Sequence, residues 1–426
     1  MSLVALGEIA EIQLGKMLSP KAKSGEGTAF PYLRNQNVQW GHFQLADLAS
    51  MEFSERERDK FRLRAGDLLV CEGGEPGRCA VWVGQRTDCY YQKALHRVRP
   101  YPNKADPEFL SLWIRHQAFV GAFEDQNAKT TIAHLPLVRL EQLLIPDVSL
   151  ADQRRIAARL KAQLAAVEQA RQAAQARAGE IEALQQAIFR QVFAATDGQP
   201  RIRLGDLSRT TSGSTPSRDR VDYWEPAVHP WVRTAEVAFE PITTTAEGIS
   251  TRALRECSLS VLPVGTVLVA MYGQGKTRGQ SAVLRIAATT NQACFAILPG
   301  ERHDPQYLQF WLRHSYRALR ELSEARGGNQ SNLNGEILND FKVPLIPLPA
   351  QQRIVAELTL QLAAIEQMRV VAHAQLADIE ALPARLLAGA FDPDHFADIS
   401  KMVDERNSDH FGDVLDMVGT EPGGRE

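Results

Sequence analysis

From Leu150 to Phe193 the chain contains no proline and a single glycine, and apolar residues recur at Ile156, Leu160, Leu164, Val167, Ala174, Ile181, Leu184 and Ile188. Spacing near 3.5 residues, in a background of Ala, Gln, Glu and Arg, predicts one long helix with a narrow apolar stripe. A second such stretch, Ala350 to Phe391, places Ile354, Leu358, Leu362, Ile365, Ala372, Leu376, Ile379, Leu382 and Leu386 in the same rhythm. Each would form a rod of roughly 60 Å. A rod that long would expose its stripe if it had no partner, so the two are expected to pack antiparallel, like the bar of a dumbbell. Pro383 predicts a kink or break near the end of the second rod.

Before each rod lies a mixed stretch of about 150 residues with a different pattern. Short β-type runs, Asp67–Cys71, Cys79–Val83, Thr266–Ala270 and Cys294–Leu298, are punctuated by Gly and Pro clusters such as Gly73-Gly74-Glu75-Pro76-Gly77. One helix is expected in each, Pro107 to Phe119 and Pro305 to Leu322, because an Asp N-cap precedes a first-turn proline. The predicted class is α+β: two mixed heads and two long antiparallel coiled-coil helices, with a pseudo-two-fold. The predicted boundaries are 1–150 (first head), 151–195 (central helix), 196–348 (second head), 349–391 (C-terminal helix) and 392–426 (tail).

The heads are also copies of one another. Leu6-Gly7-Glu8-Ile9 returns as Leu204-Gly205-Asp206-Leu207, and Pro31-Tyr32-Leu33-Arg34 as Pro230-Trp231-Val232-Arg233. Trp113-Ile114-Arg115-His116 returns as Trp311-Leu312-Arg313-His314, which suggests a structural role for both histidines. A repeat of roughly 198 residues makes the chain a pseudo-dimer, suited to a target with two separated parts. Scaffold segments match between copies, whereas Gly41 to Arg62 and Ala238 to Ser258 do not. One framework with different loops would read two different sequences.

Bulk composition adds exclusions. No apolar run is long enough for a bilayer span, and Met1-Ser2-Leu3-Val4-Ala5 lacks a signal-peptide layout, so the expected compartment is the cytoplasm. Five cysteines form no Cys-x-x-Cys pair, which leaves no disulfide framework or zinc site to expect. Net charge is −3, but the tail from Asp392 onward holds about ten acids against three bases, leaving the rest near +4.

The loudest catalytic-looking string is Ala270-Met271-Tyr272-Gly273-Gln274-Gly275-Lys276-Thr277. A phosphate loop works by opening a helix, yet Arg278-Gly279-Gln280-Ser281 reads as turn then strand. A Gly-rich hairpin carrying Lys276 and Arg278 toward a phosphodiester backbone fits better. Methyltransferase and nuclease motifs are missing, and no Ser/His/Asp or Cys/His set stands out. The chain is therefore expected to do no chemistry itself, to hold no metal and to bind no cofactor of its own.

Polar loop residues are the better lead, because DNA readers set Asn, Gln, Arg and Lys against base edges and phosphates. The candidates in the first head are Lys16, Lys21, Arg34, Gln36, Asn37, Arg78, Gln92, Lys93, Lys129 and Thr130. In the second head they are Thr215, Arg218, Arg233, Lys276, Arg278, Asn291, Gln292, Asn329, Gln330 and Asn332. Arg34 and Arg233 align across an otherwise diverged repeat. A non-enzymatic two-headed coiled-coil adaptor for proteins is the alternative reading.

Several strings carry a family resemblance: the opening Leu-Gly-Glu/Asp-Ile/Leu, Val269 to Thr277, Thr290-Asn291-Gln292-Ala293, and Val343 to Ile354 with its counterpart Leu144 to Ile156. In these, residues 1 to about 391 resemble the specificity subunit of type I restriction-modification systems. The resemblance implies two target-recognition domains held apart by antiparallel helices, each reading half of a bipartite, asymmetric site in double-stranded DNA. It also implies two docked modification subunits that carry S-adenosylmethionine and methylate adenine, and restriction (translocase) subunits using ATP and Mg. Two positions depart from the family pattern: Asp152 falls where Glu usually precedes Gln-x-x-Ile, and Gln351 is read as its counterpart.

Overall fold

The computed structural model describes residues 2–18, 28–124, 134–273, 275–324 and 332–392. The chain divides into two compact units, residues 1–173 with 375–426, and residues 174–374.

In the first unit an antiparallel sheet runs in the order Ala10–Leu14, Leu95–Pro100, Leu68–Cys71, Cys79–Val81. A three-stranded sheet pairs Ala29–Leu33 antiparallel with Ala49–Glu52 and parallel with Tyr90–Tyr91. Leu3–Ala5 and Leu144–Pro146 close a two-stranded ribbon. Leu68–Cys71 reads as an uninterrupted apolar run because both of its faces are covered. Leu68 and Val70 join the core around the helix Pro107–Phe119, while Leu69 and Cys71 join the core of the three-stranded sheet.

The second unit repeats these three sheets. Its four-stranded sheet runs Thr210–Ser212, Cys294–Ile297, Val267–Ala270, Ser281–Val283. His229–Val232 lies between Glu247–Ile249 and Thr289–Thr290, and Arg201–Arg203 pairs with Lys342–Pro344. Val267 and Val269 face one core, Leu268 and Ala270 the other. The alternation of the first unit is thus preserved position for position.

Both Asp-Pro helix starts form. The Asp106 carboxylate accepts from the amides of Glu108 and Phe109, and that of Asp304 from those of Gln306 and Tyr307; such a cap stabilises by about 1 kcal/mol. The second helix differs from its expected extent. It stops at His314, and a separate helix Tyr316–Glu324 follows, hinged at Ser315. That turn lets the Tyr316 hydroxyl and the Arg320 guanidinium reach the carbonyls of Lys276 and Gly275 at 2.6 Å each. The heads also hold more helices than the one expected in each. Glu55–Phe61 is closed by a reciprocal Ser54/Glu57 capping box, and Thr251–Glu256 by the Ser250 hydroxyl.

The long helices span Leu150–Ala194 and Leu348–Phe391. The second runs on through Pro383, so the expected break does not occur. Leu387 and Phe391, buried beyond the proline in the first unit's core, hold the last turns in place against the lost amide bond. Within the second unit the helices run antiparallel: Ile181 clusters with Ile365 and Ala372, and Phe193 shares a core with Leu358. There Arg369 donates to Glu182 at 3.3 Å and Gln185 at 2.7 Å.

Two buried glutamines fix where each long helix leaves its head. The Gln153 side-chain oxygen accepts from the Asp106 amide at 2.8 Å, and its nitrogen donates to the carbonyls of Val148 and Lys104. Gln351 does the same with the Asp304 amide at 2.7 Å and the carbonyls of Ile346 and Arg302. Gln351 is therefore the counterpart of Gln153, and Ala350 rather than Gln351 corresponds to Asp152. Asp152 itself bonds Ser149 and Arg155 in the first helical turn.

Helix ends seal the heads with aromatic contacts. Phe391 lies edge-on to Trp113 at 5.0 Å, near His116 at 5.4 Å; Phe193 meets Trp311 and His314, each at 5.1 Å. Burial lowers the pKa of both histidines, as it does for His96 and His303. All four thus favour the neutral form in the fold. Their contribution to stability is complete above the ordinary histidine range and falls as pH drops through about 6.5 toward the lowered folded values. The urea midpoint is accordingly expected to fall between pH 7.5 and 5.5; an unchanged midpoint would contradict this assignment.

Candidate nucleic-acid interface

In each head three loops converge at the ends of the sheets. A backbone bond joins the first two: the Gln92 amide donates to the Leu33 carbonyl, and the Asn291 amide to the Val232 carbonyl, both at 3.1 Å. Close packing locks the third. A Cβ on Gly15 would lie 2.3 Å from the Gln92 carbonyl oxygen, and one on Gly213 would lie 1.8 Å from that of Thr290. Only glycine permits this approach.

Arg34 and Arg233 each open a 3-10 turn. The Arg34 guanidinium pairs with Asp47 at 2.9 Å, and that of Arg233 with Glu247 at 3.1 Å. Glu247 also binds Arg218 at 2.5 Å, and Arg218 stacks 3.8 Å over the Trp224 ring. Thr215 donates its hydroxyl to Gln292, and Thr234 donates to Asn291 at 3.0 Å. Arg218 and Arg233 are thus joined through Glu247, while Thr215 with Gln292 and Thr234 with Asn291 form two further bonded pairs. On the first head Gln36 is exposed and donates to Asp47, Gln92 is half-buried, and Lys93 is exposed beside it.

Other candidates are occupied by the fold. The Lys16 ammonium donates to Glu57 and to the Glu52 carbonyl, both at 2.7 Å, and sits over Phe53. Asn37 is buried and donates to the carbonyls of Gln44 and Asp47. Arg78 braces its hairpin through Glu75 and the Asn35 carbonyl, and buried Arg278 pairs with Glu324. Lys21, Lys129, Thr130, Asn329 and Gln330 lie outside the described residues. Asn332 is exposed, and the amide of the next residue, Leu333, donates to Met271 at the base of the glycine hairpin.

The hairpin holding Lys276 spans 270 to 280 between its closing backbone bonds, against 71 to 78 in the first head. Strand Ser281–Val283 follows it, not a helix, so the amide cradle of a phosphate loop does not form. Lys276 is exposed at its tip. Among the described residues no group of three His, Cys, Asp or Glu could hold a metal ion, and no helix is long and apolar enough to cross a membrane. Burial pushes the thiols of Cys71 and Cys89 up to about 11 and those of Cys79 and Cys294 to about 12, opposite to an activated nucleophile.

Four partners of the surface were not anticipated. Asp47 and Glu247 position the arginines, yet both sit in the stretches that diverge between copies, where no pattern marks them. Trp224 and Trp231, the platform under Arg218, stand out only as a tryptophan pair within eight residues of one another.

The chain is 23% identical over 153 residues to the type I restriction enzyme EcoR124I/EcoR124II specificity subunit of Escherichia coli, covering 36% of this chain and 38% of that protein. It is 28% identical over 158 residues to the type I restriction enzyme MjaIX specificity subunit of Methanocaldococcus jannaschii, covering 36% and 35%. These matches span little more than a third of either relative. The fold is similar to a chain from a type I R-M system studied for complex assembly and conformational transition (TM-score 0.74, 20% identity, 92% of this chain and 98% of that one). It is also similar to the HsdS subunit from Thermoanaerobacter tengcongensis (TM-score 0.56, 20% identity, 92% and 97%). The model of the type I restriction modification DNA specificity domain matches residues 1–175 and 200–369, and the chain belongs to that family.

Proposed function

We propose that this chain reads a bipartite, asymmetric site in double-stranded DNA, one half-site with each head. The observation that carries the reading is a rim built twice on one scaffold with different side chains. Gln36, Gln92 and Lys93 stand on the first head where Ala235, Asn291 and Gln292 stand on the second. Amides and carboxamides at such a rim present the donor and acceptor pairs that distinguish base edges. Arg34 and Arg233, held by Asp47 and Glu247, are ready to exchange a carboxylate for a phosphate of similar geometry. Lys93 and Lys276 supply exposed charge to the backbone.

The chain supplies specificity to partners that perform the chemistry. Two modification subunits carrying S-adenosylmethionine would dock on the long helices, and restriction subunits using ATP and Mg would complete the assembly. In the second unit Leu360, Val370 and Val371 are 76%, 59% and 65% exposed on one of these helices. An apolar stripe of that kind suits a protein partner.

Lys276→Ala tests the DNA reading. In a complex of the full chain with its modification subunit, it should weaken binding about equally on all sequences and reduce the salt slope by about one. A loss confined to one base position would make Lys276 a base reader instead. No measurable DNA binding by the parent complex would favour the protein-adaptor reading.

A further inference from the structure

Each unit holds one arginine that the fold sets against aromatic rings and leaves without a counter-ion. Trp113-Ile114-Arg115-His116 repeats as Trp311-Leu312-Arg313-His314, so Arg115 and Arg313 occupy the same turn of equivalent helices. The Arg115 guanidinium lies 5.6 Å over the Trp40 ring and 5.4 Å over that of Phe119. That of Arg313 lies 5.1 Å over Phe239 and 5.7 Å over Phe189. Trp40 and Phe239 also correspond, each three positions beyond the 3-10 turn that Arg34 or Arg233 opens. The arginine–aromatic pair is therefore built twice. In the second unit it is built at a backbone cost, because Phe239 is held at φ 67°, a conformation that aromatic residues rarely adopt.

Nearby arginines are engaged: Arg78 with Glu75, Arg285 with Gln306, and Arg369 with Glu366 and Gln185. Arg115 and Arg313, both half-buried, make no hydrogen bond or ion pair among the described residues, and the Arg115 Nε is buried without a partner. Burial lowers the pKa of both guanidiniums, the mark of a charge held away from water. A ring attracts such a charge without taking up the fork of N–H groups that a carboxylate or phosphate fills.

The surroundings of Arg313 choose between those two anions. It lines a cavity of about 940 Å³ whose walls include Phe239, Phe310, Val355 and Leu362, with Glu240 and Glu366 at the same cavity. DNA carries one negative charge per about 1.7 Å of its axis, and the two glutamates would repel that run of phosphates. A single carboxylate on an otherwise apolar protein segment matches both the walls and the one unengaged cation.

We propose that Arg115 and Arg313 each receive a carboxylate from a modification subunit, so that the repeat supplies two equivalent docking contacts, one in each unit. This rests on the reading that the chain serves two such subunits, and it adds where charge holds each of them. The contact is charge-assisted and partly shielded from water, so removing the guanidinium leaves the partner's carboxylate unpaired.

The test is assembly of the full chain with its modification subunit, followed by native mass spectrometry and equilibrium sedimentation, for the parent, R115Q, R313Q and the double variant. The parent should take two modification subunits. Each single variant should hold one at the parent's affinity and the other about tenfold or more weakly, and the double variant should be weak at both. Amide exchange should show Pro107–Phe119 and Pro305–His314 equally protected in all four isolated chains. A double variant that binds two subunits at the parent's affinity would overturn the proposal and leave the DNA reading intact. Normal assembly with weaker binding to all DNA sequences would overturn it as well, assigning the arginines to phosphates. Lost protection in either helix would make its arginine a structural residue and would also count against the proposal. A parent that binds no modification subunit would remove the underlying reading together with it.

Discussion

Phe193→Ala is expected to destabilise the second unit by about 3–5 kcal/mol, the range for deleting a buried ring whose neighbours cannot close the gap. Phe193 is 2% exposed and touches Phe189, Tyr307, Trp311 and His314. Its neighbours belong to a sheet-backed helix and a long helix, neither free to collapse inward. Phe391→Ala should do the same to the first unit, where the ring meets Phe109, Trp113 and His116. Urea titration followed by amide exchange of each unit provides the measurement. Phe193→Leu, which keeps most of the volume, should cost less than about 1.5 kcal/mol if it repacks. Equal small losses for both substitutions at Phe193 would mean that the helix end is not part of the head's core.

Gln351→Leu is expected to cost about 2–4 kcal/mol, since a buried donor or acceptor left unpaired costs about 1–3 kcal/mol. The substitution strands the Asp304 amide and the carbonyls of Ile346 and Arg302, and leucine offers none of them a partner. Gln351→Glu should be milder at the amide, because an oxygen still accepts from Asp304, and worse at the two carbonyls. Urea midpoints of the two variants separate these effects. A neutral Gln351→Leu would show that water or main-chain adjustment replaces the side chain.

The long helices, the duplicated frame and the head strands were legible because each rests on local periodicity or on a repeat. Asp106 and Asp304 announced their helices by cap chemistry alone. Of the kink or break expected at Pro383, the break is absent, because burial of Leu387 and Phe391 outweighs one missing amide bond. The hinge at Ser315 was illegible because its cause is tertiary: Tyr316 and Arg320 reaching the glycine hairpin. The candidate surface was legible only by residue type. Lys16 and Asn37 have the chemistry of a DNA contact, but Glu57 and the Gln44 and Asp47 carbonyls already engage them. Local sequence cannot state which donors are spent, because their partners lie 41 and 10 positions away.

The most direct test of the central claim is a map of methylated adenines in DNA from cells co-expressing this chain with its modification subunit. The map should be repeated with the second head's loops, 213–218, 233–247 and 291–292, exchanged for those of a relative. The account predicts a gapped two-part motif in which the exchange rewrites one half and leaves the other intact. A continuous motif, or one in which both halves change together, would contradict it.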